Sequence, residues 1–165
     1  MLILLLVPLY SDHAHTEDTE EIFYWVARQM KIDDPGRMPI ARYVPRQRLR
    51  TVFEKNNHQS YLHWRARYGE LQAQKVLTQY LLNIIGLYDP GTGTVYVAHD
   101  LDTCKKRSIL AHEMTHFFQY QKNTAIKQPE AIAYAQRLQR EAQAHQNEYL
   151  YLHTYCPNRE ADNHK

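Results

Sequence analysis

The spacing of hydrophobic and polar positions predicts a mainly helical chain. Apolar residues recur at steps of three and four, which places them on one face of a helix. In the first such segment Ile22, Val26 and Met30 share a face, and acidic residues occupy the first turns, where the helix dipole favours them. The segments predicted to be helical are 17–31, 59–85 with an interruption at Gly69, 104–122 and 130–153.

Between these helices the chain has short stretches typical of β-structure. Residues 87–88 and 94–97 are β-prone and flank a turn-forming segment at 89–93, a pattern that predicts a β-hairpin. Residues 39–45 are predicted to be extended. We found neither an internal repeat nor a linker, so we expect a single domain over 15–165. The predicted fold class is α+β, mainly helical with a small antiparallel sheet.

The N-terminal segment 1–14 is apolar over its first nine residues. That length is far below the roughly 20 residues that span a bilayer. It resembles the apolar centre of a secretory signal, although the basic residues that usually precede such a centre are missing. We interpret it as a signal-peptide remnant, and the alternative is a buried strand at the start of the domain.

Composition narrows the class of protein. With 44% hydrophobic and 23% charged residues the chain can bury a core, which excludes a disordered protein. The net charge of +2 gives no strong signal for nucleic-acid binding. Segment 37–67 carries eight basic residues and one acidic residue. It is either a phosphate- or lipid-facing patch or a solvated face, and the near-neutral total favours the solvated face.

The chain has ten histidines, and two of them form a complete His-Glu-x-x-His motif at 112–116. His112 and His116 are four residues apart, so both imidazoles point from one helical face and can bind one ion. Imidazole suits Zn²⁺, which lowers the pKa of bound water. Glu113 lies beside them and is expected to act as the base that takes a proton from that water.

A catalytic zinc site needs a third protein ligand. If the next helix returns antiparallel, it can supply this ligand, and Glu141 lies 25 residues beyond His116. His145 follows one turn later on the same face. Either could coordinate zinc. We predict Glu141 as the ligand, with His145 next to the site.

The motif at 112–116, followed by Glu141 on a later helix, resembles the gluzincin branch of the zincin metallopeptidases. The hairpin and helix over about 84–117 also resemble small bacterial HExxH proteins. This resemblance implies a minimal zincin-like domain and a peptidase with zinc on His112, His116 and Glu141. In zincins the strand before the active-site helix is an edge strand that pairs with substrate, which implies that role for Thr94–Ala98.

The chain departs from this family at two points. Many gluzincins carry an aspartate four residues after the glutamate ligand, where it orients a zinc histidine, but this chain has His145. The orienting group must therefore come from elsewhere. The family also uses a Tyr or His to stabilise the oxyanion, and the sequence leaves four candidates open: His145, Tyr149, Tyr134 and His153.

The two cysteines provide a check on the antiparallel helix pair. Cys104 lies 12 residues before His116, and Cys156 lies 15 residues after Glu141. These separations correspond to about 18 and 22 Å of helix in the same direction. The cysteines could therefore form a disulfide, or they could be separate thiols. A disulfide together with the apolar N-terminus favours export to the periplasm or medium over a cytoplasmic location.

The sequence thus predicts a secreted or periplasmic zinc metallopeptidase that hydrolyses peptides or proteins by Glu113-assisted attack of zinc-bound water. One alternative is a cytosolic HExxH peptidase acting on DNA-associated proteins, with segment 37–67 contacting nucleic acid. Another is a non-catalytic module in which zinc braces two helices. An intact Glu113 disfavours the second alternative, because a structural site has no use for a base. The sequence does not indicate the oligomeric state.

Overall fold

The structure is a computed structural model that describes residues 16–122 and 130–156. Within these ranges the mainly helical α+β fold class is confirmed, with five helices and three strands. The proposed signal remnant at 1–14 lies outside the described residues. In chain order the elements are α1 Thr16–Gln29, β1 Ile40–Val44, α2 Arg46–Tyr68, α3 Glu70–Asn83, β2 Gly86–Asp89, β3 Thr94–Ala98, α4 Thr103–Lys122 and α5 Glu130–Tyr155.

Helix α2 is longer than predicted, since it begins directly after Pro45 rather than at residue 59. Leu49 and Val52 are its buried residues, and their three-residue spacing is helical. The predicted interruption at Gly69 is confirmed. Gly69 has a φ of +83°, a conformation that disfavours other residues and separates α2 from α3.

The three strands form one mixed sheet in the order β1–β3–β2. The predicted hairpin is confirmed, with β2 antiparallel to β3 and Gly86 opposite Val97. The sheet is not purely antiparallel as predicted, because β1 pairs with β3 in parallel. The edge role predicted for Thr94–Ala98 is wrong for the same reason. Strand β3 has a neighbour on each side and is buried along its whole length, whereas β2 lies at the edge next to α4.

Helix α4 is the centre of the packing. Nearly every residue from 108 to 119 is buried, between the sheet on one side and α1 and α5 on the others. Phe23 of α1 stacks on Phe118 with ring centroids 5.1 Å apart. At the other end of this interface Arg107 forms an ion pair of 2.8 Å with Glu21. A helix held on all sides in this way keeps its side chains in fixed positions.

Helices α4 and α5 are antiparallel, as predicted, and three links hold them in register. A disulfide joins Cys104 to Cys156 at one end. In the buried middle, Asn147 donates a hydrogen bond of 2.9 Å to Thr115. At the other end the side-chain amide of Gln119 donates to Gln143 over 3.0 Å. Among the described residues, none of the helices is long and apolar enough to cross a bilayer.

Candidate metal centre

Helix α4 presents the two motif histidines one turn apart on a single face. The Nε2 atoms of His112 and His116 lie 3.1 Å from each other. His112 is 8% exposed, so its imidazole is almost withdrawn from water. Two nitrogen donors at this separation are within reach of one small cation.

Helix α5 brings Glu141 to the same point. Its Oε2 atom lies 3.8 Å from Nε2 of His112 and 3.6 Å from Nε2 of His116. Four donors around zinc with bonds of about 2.0–2.1 Å stand about 3.3 Å apart, so the three separations fit a tetrahedral site with one open position. The interaction with His116 lowers the pKa of Glu141, which keeps the carboxylate charged.

The protonation of His116 also bears on metal binding. Burial by itself lowers the pKa of the imidazole, but the carboxylates of Glu141 and Glu113 favour the charged form, as does Gln119. The result is a pKa raised to about 8. At neutral pH a metal ion therefore competes with a proton for this nitrogen.

Glu113 is buried beside the donor set, at the wall of a cavity. Burial raises the pKa of its carboxyl, and the neighbouring imidazoles act in the opposite direction. Strand β2 comes very close to it. A Cβ atom added at Gly86 would lie 2.6 Å from Oε1 of Glu113 and 2.5 Å from Cγ2 of Ile109. Only glycine leaves room for Glu113 in its present position.

Glu148 is a functional candidate that sequence reasoning missed. Its Oε2 atom lies 3.2 Å from Nδ1 of His112, the nitrogen that faces away from the donor set. The buried Nδ1 of His112 has no aligned hydrogen-bond partner, so this 3.2 Å contact is described as a close electrostatic one. Burial raises the pKa of Glu148, but His112 and Lys105 outweigh it and hold the pKa at about 2. A charged carboxylate at this place favours a proton on Nδ1 and thereby leaves Nε2 as the nitrogen that faces the donor set.

Gln119 is the corresponding outer partner of the second histidine, His116. Its side-chain oxygen lies 2.9 Å from Nδ1 of His116, which identifies that nitrogen as the N–H donor and leaves Nε2 as the metal donor. The amide nitrogen of Gln119 is held in turn by the backbone oxygen of Arg140 and the side chain of Gln143, each 3.0 Å away. Each imidazole therefore has an outer partner that directs Nε2 toward Glu141.

The four residues that the sequence left open as oxyanion-stabilising groups lie in different places. The ring of His145 is 4.7 Å from that of His112, and its Nδ1 lies 3.3 Å from Glu148, so it is next to the site as predicted. Tyr149 is 59% exposed, stacks on His153 and does not line the described cavity. The side chain of Tyr134 lies outside the described residues.

A second group of three potential donors shares a residue with the first. His112, His145 and Glu148 also lie within 4.8 Å of one another. This group would use Nδ1 of His112, and His145 is 68% exposed. The group with His116 and Glu141 fits zinc better because it lies at the cavity wall next to Glu113.

The cavity has a volume of about 800 Å³, within the range of about 300–1,000 Å³ typical of ligand sites. One wall carries the motif residues and Glu141. The opposite wall comes from α2 and α3, which sequence reasoning did not connect with the site. Strand β2 runs between the two walls.

Comparison with protein-family models, with curated proteins and with solved structures finds no match for this chain. The functional interpretation therefore rests on the side-chain geometry described above.

Proposed function

We propose that the protein is a zinc metallopeptidase. The observation that carries the proposal is the placement of three donors of the type that zinc prefers, from His112, His116 and Glu141, at tetrahedral spacing beside a buried Glu113 at a cavity wall. Zinc bound there would supply a Lewis acid that polarises a peptide carbonyl and makes water acidic enough to attack it near neutral pH.

The chain's own residues perform the proton transfers. Glu113 takes a proton from the attacking water and passes it to the nitrogen of the leaving amine. Its raised pKa suits both steps, because a carboxylate that is too acidic would be a weak base. Glu148 and Gln119 hold the imidazoles of His112 and His116 so that their Nε2 atoms stay directed at the site.

Among the described residues no strand pairs with the outer side of β2, and the Tyr88 backbone on that side contacts the carboxylate of Glu113, so this edge is suited to hold a substrate backbone next to the base. Ala98 donates a backbone hydrogen bond of 2.8 Å to Ile85, so by antiparallel alternation the backbone groups of Gly86 and Tyr88 point away from β3. This edge borders the cavity. We propose that an extended peptide pairs with it and thereby brings its scissile carbonyl next to Glu113.

We propose that the protein acts in an oxidising compartment, the periplasm or the medium. The support is the Cys104–Cys156 disulfide, because such bonds persist mainly outside the reducing cytosol. The same bond disfavours the alternative of a cytosolic peptidase that acts on DNA-associated proteins. A purely structural zinc site is disfavoured because such sites are closed by four protein ligands, whereas three donors converge here among residues 16–122 and 130–156.

The test is Glu113→Gln, with peptide-library digestion and zinc content measured on the same preparations. We expect the variant to bind one zinc ion per chain and to lose hydrolysis, because the base is removed and the ligands are intact. Glu54→Gln, an exposed carboxylate on α2, is the matched control and should keep both properties. Undiminished hydrolysis by zinc-loaded Glu113→Gln would refute the proposal.

A further inference from the structure

The wall of the cavity opposite the candidate metal centre is neutral and largely apolar. It is formed by side chains of α2, α3 and the residues that lead into β2. Phe53, Val76 and Ile84 are half-buried there, and among the described residues that line this wall none is an Asp, Glu, Lys, Arg or His. The charged groups of the cavity lie on the α4–α5 side.

Tyr80 is the most prominent member of this wall. It is 52% exposed although it stacks on Phe53 at 5.6 Å and on Trp64 at 6.2 Å between ring centroids. Helices α2 and α3, which form a helical hairpin, are also linked near this stack, because Arg50 of α2 donates a hydrogen bond of 3.0 Å to the backbone oxygen of Leu81 in α3. Phe53 and Tyr80 line the cavity and present an aromatic surface to it, and Trp64 packs on Tyr80 behind that surface.

Two polar side chains on this wall, Asn57 and Asn83, each donate one hydrogen bond to a backbone oxygen of their own helix. The amide of Asn57 donates to the oxygen of Phe53 over 3.0 Å, and that of Asn83 donates to the oxygen of Gln79 over 2.9 Å. A charged substrate side chain placed here would lose water without gaining an ionic partner, which is costly. An apolar side chain would gain by covering the aromatic surface.

We infer that the α2–α3 wall is a substrate-selecting subsite that accepts a large apolar side chain, aromatic or branched aliphatic, close to the scissile bond. The inference rests on the proposed peptidase function and deepens it. The substrate backbone would lie along β2, and one side chain would cross the cavity to the rings of Phe53 and Tyr80. Val76 lines the same wall, so a larger residue at that position would narrow the subsite.

The experiment uses zinc-loaded protein and peptides that differ only at one position, occupied by Phe, Leu, Ala, Lys or Glu, with cleavage sites mapped by mass spectrometry. We expect kcat/KM to favour Phe or Leu over Ala by about 10- to 200-fold, the range that hydrophobic pockets achieve. Tyr80→Ala should lower that preference by roughly tenfold. Tyr68→Ala is the matched control, because Tyr68 is 58% exposed on the same helical hairpin and does not line the cavity.

A second variant covers the case in which Tyr80→Ala does not fold. Val76→Phe adds volume to the wall, so it should reduce cleavage of the Phe peptide while the Ala peptide is cleaved as well as before. Cleavage by wild type without preference for apolar residues, or a preference that both cavity variants leave unchanged, would overturn the inference.

Binding without turnover separates this inference from the proposed function. In Glu113→Gln, the Phe peptide should change the fluorescence of Trp64, which stacks on Tyr80, whereas Trp25 is buried in the core. The Lys and Glu peptides should not. If zinc-loaded wild type cleaves none of the peptides, the peptidase proposal fails, and the fluorescence titration still decides whether the apolar subsite exists. Absence of any change with the Phe peptide would count against the subsite.

Discussion

Replacement of Glu148 by glutamine should weaken zinc binding, although this residue is not one of the proposed ligands. The carboxylate lies 3.2 Å from Nδ1 of His112 and has only 13% of its side chain exposed, so water screens the contact poorly. A pKa held at about 2, against an ordinary value of 4.5, corresponds to about 3 kcal/mol in favour of the charged form. Lys105, at 2.6 Å, shares this stabilisation with His112.

This free energy shows that the carboxylate stays charged beside His112, and the expected change in zinc affinity follows from the loss of that outer partner. Loss of an outer partner of a zinc histidine typically costs 10- to 100-fold. We therefore expect Glu148→Gln to raise the Kd for zinc by about 10- to 30-fold. The assay is competition with a chromophoric chelator at pH 7.5, with Glu54→Gln as the control. A Kd within twofold of wild type would refute the assigned role of Glu148.

The same experiment distinguishes the two groups of potential donors. If zinc binds through His112, His116 and Glu141, then Glu141→Ala should abolish tight binding and His145→Ala should have little effect. If zinc binds through His112, His145 and Glu148, then His145→Ala should abolish tight binding and Glu141→Ala should have little effect.

Acid unfolding gives an independent measurement of the contribution of Glu148 to the stability of the fold. The depressed pKa of Glu148 stabilises the fold above about pH 4.5, and this contribution is lost as the pH falls toward about 2, so Glu148→Gln should flatten the pH dependence in that interval.

Three further outcomes follow from the geometry. Gly86→Ala should keep zinc but lower kcat by about 100-fold, because a Cβ atom 2.6 Å from Oε1 of Glu113 must displace the base. Zinc content and kcat are measured on one preparation. An unchanged kcat would show that the position of Glu113 is not critical. Zinc binding at pH 7 should release close to one proton from His116, whose pKa is about 8, and the number of protons released should fall above that pH. Calorimetry in two buffers of different ionisation enthalpy measures the number of protons released. A zinc affinity that does not change between pH 6 and 8 would contradict this prediction. Replacement of both Cys104 and Cys156 by serine should lower the free energy of unfolding by about 2–5 kcal/mol. Urea unfolding measures this change, and an unchanged urea midpoint would mean that the disulfide does not stabilise the helix pair.

The parts of the site that the sequence predicted are those set by local geometry. His112, Glu113 and His116 lie within one turn, so a helical pattern is enough to place them together. The hairpin was also predictable, because its turn lies in the four consecutive residues 90–93. The edge role of Thr94–Ala98 failed because it depends on a distant segment. Strand β1 pairs with β3 from 54 residues upstream, as the match of Ile40 with Thr94 shows, and local patterns carry no signal for that pairing.

The opposite wall of the cavity could not be predicted for a similar reason. The apolar periodicity of α2 and α3 predicts helices but not the surface that they face. Of their residues, Leu49, Val52 and Ala73 are buried. The side chains that face the cavity, such as Val76 and Tyr80, therefore follow the same helical pattern as core residues.

Glu148, by contrast, could have been found from the sequence with one further step. A Cys104–Cys156 disulfide, one of the two alternatives that the sequence left open, requires these residues to lie opposite each other on antiparallel helices. Each step forward along α4 is then matched by a step back along α5, which places residue 148 opposite residue 112. The Thr115–Asn147 and Gln119–Gln143 links agree with this register to within two residues. A carboxylate at the level of His112 is where an orienting partner is needed. Glu141 lies two turns away on the same face of α5, and from there it reaches the Nε2 side of the histidines while Glu148 reaches Nδ1. One helix therefore supplies both the third donor and the group that orients the first.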